Sequence, residues 1–73
     1  MRNRFTVEID REDDGRWIGE VPELPGCLAY GATRDEAVTR TVALALHVLG
    51  DRIEHGDATP ADVADLVSVV AAA

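Results

Sequence analysis

The chain predicts an α+β fold, with a three-stranded antiparallel sheet packed by one long helix and followed by a fourth strand. Three observations carry this expectation. Residues 4–10 alternate apolar and polar side chains with the period of a strand. Residues 21–27 hold two prolines and a Pro25-Gly26 pair, so the sheet must turn sharply there. Thr33-Arg34-Asp35-Glu36 has the spacing of a capping box and opens a stretch with helical periodicity. The element order expected is β-β-β-α-β, in a single domain over residues 1–73.

The first strand, about 4–10, places Phe5, Val7 and Ile9 on one face and Thr6, Glu8 and Asp10 on the other. Asp14-Gly15 supplies the positive-φ position of a hairpin turn. The second strand, about 16–21, returns antiparallel, with Trp17 and Ile18 on opposite faces. Pro22 and Pro25 lack a backbone donor, so neither can sit inside a central strand, and Pro25-Gly26 forces a reversal. A third strand follows at 27–30, with Leu28 and Tyr30 on one side and Cys27 and Ala29 on the other. Gly31 closes it.

The helix begins after Thr33, whose hydroxyl accepts from the third helical residue while Glu36 reaches back to the start. Val38, Val42, Ala45, Leu46 and Leu49 form one apolar stripe; Ala37, Thr41, Leu44 and Val48 form a second beside it. Together they span roughly 200°, wider than the ~100° that packing on one side requires. Such a helix packs on its sheet and on something else, or lies deep in a curved sheet. Its end is ambiguous: Gly50 fits a cap after residue 49, whereas Ile53 extends the pattern to about 55, with Gly56 as the stop. Thr59-Pro60 breaks the chain. Pro60 could start another helix, but the β-branched run Leu66-Val67-Ser68-Val69-Val70 is read as a fourth strand over about 66–71.

Seventy-three residues bury a small core, about 60% of the unfolded surface. The single cysteine excludes an internal disulfide, so stability must come from efficient packing or self-association. A homodimer or higher oligomer is expected, because apolar groups lie on both sheet faces. Fourteen acidic residues against seven arginines give a net charge of −7. That balance disfavours direct nucleic-acid binding. It serves solubility, and it also suits a basic protein partner. No targeting segment or membrane-length apolar run is visible, so the cytoplasm is the default location.

No catalytic constellation emerges. Cys27 stands in a strand with no histidine placed to activate it, since His47 and His55 lie on or beyond the helix. Neither Cys-x-x-Cys nor His-x-x-x-His spacing occurs, and no metal or cofactor is expected. Trp17, Pro22, Pro25, Gly26, Gly31, Thr33 and Glu36 read as structural residues.

Glu23-Leu24-Pro25-Gly26-Cys27, a short strand, and then Gly31-Ala32-Thr33-Arg34-Asp35-Glu36-Ala37 resemble the HicB family of bacterial toxin–antitoxin proteins. Asp13-Asp14-Gly15-Arg16-Trp17-Ile18-Gly19-Glu20-Val21 matches the same pattern, and the resemblance covers roughly residues 4–56. It implies a partial ribonuclease-H-like fold and an antitoxin that binds and blocks HicA, a small basic ribonuclease toxin that cleaves messenger RNA. The alternative is an orphan HicB-like homo-oligomeric scaffold with no toxin. The enzyme fold holds metals on carboxylates, and Glu8 or Asp10, Glu36 and Asp62 lie in loosely comparable regions. Capping and surface charge account for all of them, and the chain is not expected to be an enzyme. Longer family members carry a C-terminal DNA-binding module; ending at Ala73, this chain has no room for one, and operon repression is not expected of it. Glu8 and Glu20 are candidates for steering a basic partner, and Ile18, Leu28 and Tyr30 for the apolar contact. Whether they share a face depends on strand register, which the sequence leaves open.

Overall fold

In the computed structural model, which describes residues 5–57, the order is β-β-β-α. β1 (Glu8–Arg11), β2 (Trp17–Glu20) and β3 (Leu28–Gly31) form one antiparallel sheet in the order β1-β2-β3, and α1 (Arg34–Glu54) lies across one face. The fold is α+β, as the sequence patterns predict. The fourth strand expected near 66–71 lies outside the described residues.

β1 begins later than the alternating pattern suggests. Glu8 pairs with Glu20, so a longer β1 would bring its N-terminal end against Pro22, which has no N–H to offer. The Val21 N–H is also used elsewhere, donating to the Cys27 carbonyl at 3.0 Å. Thr6 N–H donates instead to the Glu23 carboxylate at 3.1 Å, while Phe5 and Val7 pack against the core.

Two successive turns connect β2 to β3. The Leu24 N–H donates to Val21 O at 3.0 Å, and the Cys27 N–H to Leu24 O at 2.9 Å. Pro25 at the second position and Gly26 at the third, with φ of 85°, make the second a type II turn. These reversals tuck Val21, Leu24 and Cys27 beneath the helix, where they meet Ala45 and Leu49; Phe5, Val7, Leu44 and Val48 surround them. The core therefore sits at one end of the sheet.

Over the rest of the sheet the helix lies close, on small residues. A Cβ added at Gly19 would run into the Thr41 side chain, and one at Gly31 into the Ala37 backbone. Buried Thr41 satisfies itself by donating to Ala37 O at 2.7 Å. Trp17 shares this helix-facing side, opposite Gly31. It is half-buried beside the Arg11 guanidinium, 5.7 Å from the ring centroid, and outside the core cluster. The core cluster itself is built from Val21, Leu24 and Cys27, brought in by the reversal at 21–27, with Ala45 and Leu49 of the helix.

At the helix start, Thr33 Oγ1 accepts from Glu36 N–H at 3.1 Å, as the capping box requires. The Glu36 carboxylate reaches back one residue further than expected, to Ala32 N–H at 3.1 Å, and pairs with Arg40 at 3.2 Å. The helix passes through Gly50 and stops at Glu54, with His55 as its cap. Gly56 takes φ of 78°; its N–H donates to Ile53 O at 3.1 Å and that of Asp57 to Arg52 O at 2.8 Å. This is a Schellman ending.

Candidate protein-interaction face

The register decides which side chains stand together. Glu8 opposes Glu20, which opposes Leu28; Asp10 opposes Ile18, which opposes Tyr30. Directly opposed residues of an antiparallel sheet share a face. All five partner-contact candidates, Glu8, Ile18, Glu20, Leu28 and Tyr30, therefore lie on the side away from the helix, with Asp10 added. Ile18 is half-buried and the others are exposed.

Charge and apolar area divide this face. On the β1–β2 side, Glu8, Asp10 and Glu20 surround Ile18 and, with Ile9, line a shallow depression of about 350 Å³. Asp10 accepts from the Arg11 N–H at 2.8 Å. Neither the Glu8 nor the Glu20 carboxylate makes a hydrogen bond or ion pair among the described residues. On the β3 side, Leu28 and Tyr30 are 40% and 37% exposed, an apolar pair at the sheet edge.

Arg16 roofs the tyrosine, its guanidinium 4.4 Å from the ring centroid. Asp14 holds Arg16 in place by accepting from its Nε at 2.7 Å and from its backbone N–H at 3.0 Å. That backbone N–H, with the guanidinium, keeps the Asp14 carboxyl below its ordinary range. Arg16 was not anticipated as part of the face. Its place as an even-numbered residue just before β2, in step with Ile18 and Glu20, was the available signal. At the edge of β3, the Arg40 guanidinium donates to Tyr30 O at 3.2 Å and covers a carbonyl that an added strand would otherwise use.

The remaining chemistry is sparse. Cys27 is buried in the core, and burial pushes its thiol pKa up. Among the described residues, no cluster of three or more His, Cys, Asp or Glu is arranged to hold a metal ion. No helix among them is long and apolar enough to cross a membrane. The arrangement suits a protein surface: carboxylates beside an apolar edge on a rigid sheet.

The chain is similar to small proteins of one family from distant microbes. It is 31% identical over 66 residues to the UPF0150 protein Ta0767 of Thermoplasma acidophilum, covering 90% of this chain and 96% of that protein. It is 49% identical over 35 residues to the UPF0150 protein ssr1258 of Synechocystis, 48% of this chain and 51% of the relative. A UPF0150 protein of Archaeoglobus fulgidus matches at 35% over 37 residues, 51% of this chain and 54% of its own length. No family model matches the chain, and no solved structure matches it significantly. With nearly the whole of the Thermoplasma protein matched, the chain belongs to the UPF0150 family.

Proposed function

We propose that this protein is an antitoxin-type binding module that captures a small basic ribonuclease through the outer face of its sheet, as the HicB-like sequence motifs imply. One observation carries the reading: Glu8, Asp10 and Glu20 stand on the same face as Ile18, Leu28 and Tyr30. A carboxylate cluster attracts and orients a basic protein during encounter, and adjacent apolar groups hold it after docking. The net charge of −7 acts in the same sense over longer range.

The test is co-expression with the neighbouring basic reading frame in the native genome. That frame should arrest growth alone and lose its toxicity beside this protein. Leu28→Asp with Tyr30→Ser should abolish rescue while leaving the protein folded, since both side chains are exposed. A harmless neighbour, or full rescue by the double variant, would defeat the proposal. A second reading, an orphan homo-oligomeric module of cytoplasmic location, draws support from the exposed apolar residues on the helix. It would be favoured if no toxic neighbour existed.

A further inference from the structure

Among the described residues, a further exposed apolar surface lies on the helix. Val42, Leu46 and Ile53 are 41%, 57% and 44% exposed. With 3.6 residues per turn they fall on one line, flanked on the outer side by Thr39, Ala43 and Gly50. Between Val38 and Gly50 this strip, an arc of roughly 140°, contains no charged residue. Glu36, Arg40, His47, Asp51 and Glu54 lie beyond its outer edge and Arg34 and Arg52 beyond its inner one, while Asp35, on the line of Ile53, ends the strip one turn before Val38.

The strip has both relief and symmetry. A Cβ at Gly50 would meet nothing within 4 Å, and Leu46, His47, Gly50, Asp51 and Glu54 border a hollow of about 260 Å³. Leu46 projects midway, with Val42 four residues before it and the Gly50 notch four residues after. Two such helices laid antiparallel, with their Leu46 side chains at the twofold axis, set each Val42 over the other copy's Gly50. A surface complementary to itself in this way forms an isologous interface.

Charge favours the same occupant. Each copy carries −7, so apposing two copies through their acidic surfaces is repulsive. Over residues 38–50 the strip presents no charged side chain of its own to the other copy. Its size sets the strength. From Val38 to Ile53 it measures on the order of 23 by 10 Å, a few hundred Å² against about 800 Å² per partner in a standard interface.

We propose that a second copy of this chain packs antiparallel on the Val42–Leu46–Ile53 strip, giving a dissociable twofold dimer. The outer sheet face, on the side of the sheet away from the helix, stays open for another partner.

Sedimentation equilibrium of the full chain from low micromolar to millimolar concentration tests this. The mass should rise from 7.8 kDa toward twice that value. Leu46→Glu puts two carboxylates at the axis and should shift dimerisation to at least about tenfold higher concentration. Gly50→Gln should weaken the dimer by filling the notch, yet raise the melting temperature of the dilute monomer, because glutamine favours the helix over glycine. A chain that stays monomeric to millimolar concentration overturns the proposal. So does a dimer indifferent to both variants, which would use another surface. A monomer whose melting temperature falls sharply with Leu46→Glu would show the strip covered from within its own chain, for instance by residues 66–70, and would also overturn it.

Discussion

At Gly31 the first turn of the helix meets the sheet backbone with no room for a methyl group. The obstacle there is the Ala37 main chain, which a side-chain rotation cannot relieve. Gly31→Ala should therefore destabilise the protein by at least the ~1–3 kcal/mol typical of overpacking, read as a lower urea midpoint. Gly19→Ala, which meets the Thr41 side chain, gives a comparison in which one hydroxyl can move. Polar residues act more gently. Asp14 titrates below its ordinary value of 3.8, chiefly because the Arg16 backbone N–H stabilises the carboxylate. The folded form thus binds fewer protons than the unfolded chain between those two values. The stabilisation is present above the unfolded value and is lost as pH falls through the lower, folded one. A carboxyl carbon NMR titration should show Asp14 with a midpoint below 3.8, and Asp14→Asn should release Arg16 from Tyr30. A midpoint at or above the ordinary value would contradict the hydrogen bond.

The helix shows what an element reveals on its own and what only packing decides. Its start was legible because capping is local: Thr33 and Glu36 lie three residues apart, and the bond between Thr33 Oγ1 and the Glu36 N–H needs nothing beyond the first turn. Thr33→Ala should cost about 1 kcal/mol, measured by thermal unfolding, with no specific effect on partner binding. A loss of binding at unchanged stability would place Thr33 in an interface instead. The helix end was less legible, since Gly50 and Gly56 both fit a stop. Of the two, only Gly56 takes the left-handed conformation, which lets the Ile53 and Arg52 carbonyls accept from the Gly56 and Asp57 N–H groups. Which stripe is buried was not legible at all. Ala37, Thr41, Ala45 and Leu49 are covered and Val42 and Leu46 are not, although Val42 and Leu46 are more apolar than Thr41. The choice follows from Gly19 and Gly31, which admit the helix closely only along its small residues. Register was similarly closed to the sequence. The even-numbered alternation gave each strand's faces, but pairing Glu8 with Glu20 and Ile18 with Tyr30 depends on the two turns acting together.

At the scale of the whole molecule, the outer sheet face carries an electrostatic cost that the fold itself does not require. Glu8 and Glu20 stand directly opposite on adjacent strands, where like charges destabilise, and among the described residues no cation neutralises either one. A sequence shaped only for stability would place a lysine at one of these positions. Glu8→Lys would turn the repulsion into an opposite-charge pair, worth about 0.2–1 kcal/mol. The variant should therefore melt slightly higher than the native chain. If the face receives a basic partner, the same change should slow association, flatten its dependence on salt and leave dissociation nearly unaltered, because exposed carboxylates steer the encounter over a Debye length of about 10 Å at 0.1 M salt. Leu28→Asp should behave in the opposite way, raising the dissociation rate, since an apolar edge residue acts after contact. Stopped-flow association and thermal melts on the same samples separate these effects. A Glu8→Lys variant that gains stability and binds its partner at the native rate would show that the opposed carboxylates serve something other than recognition at this face.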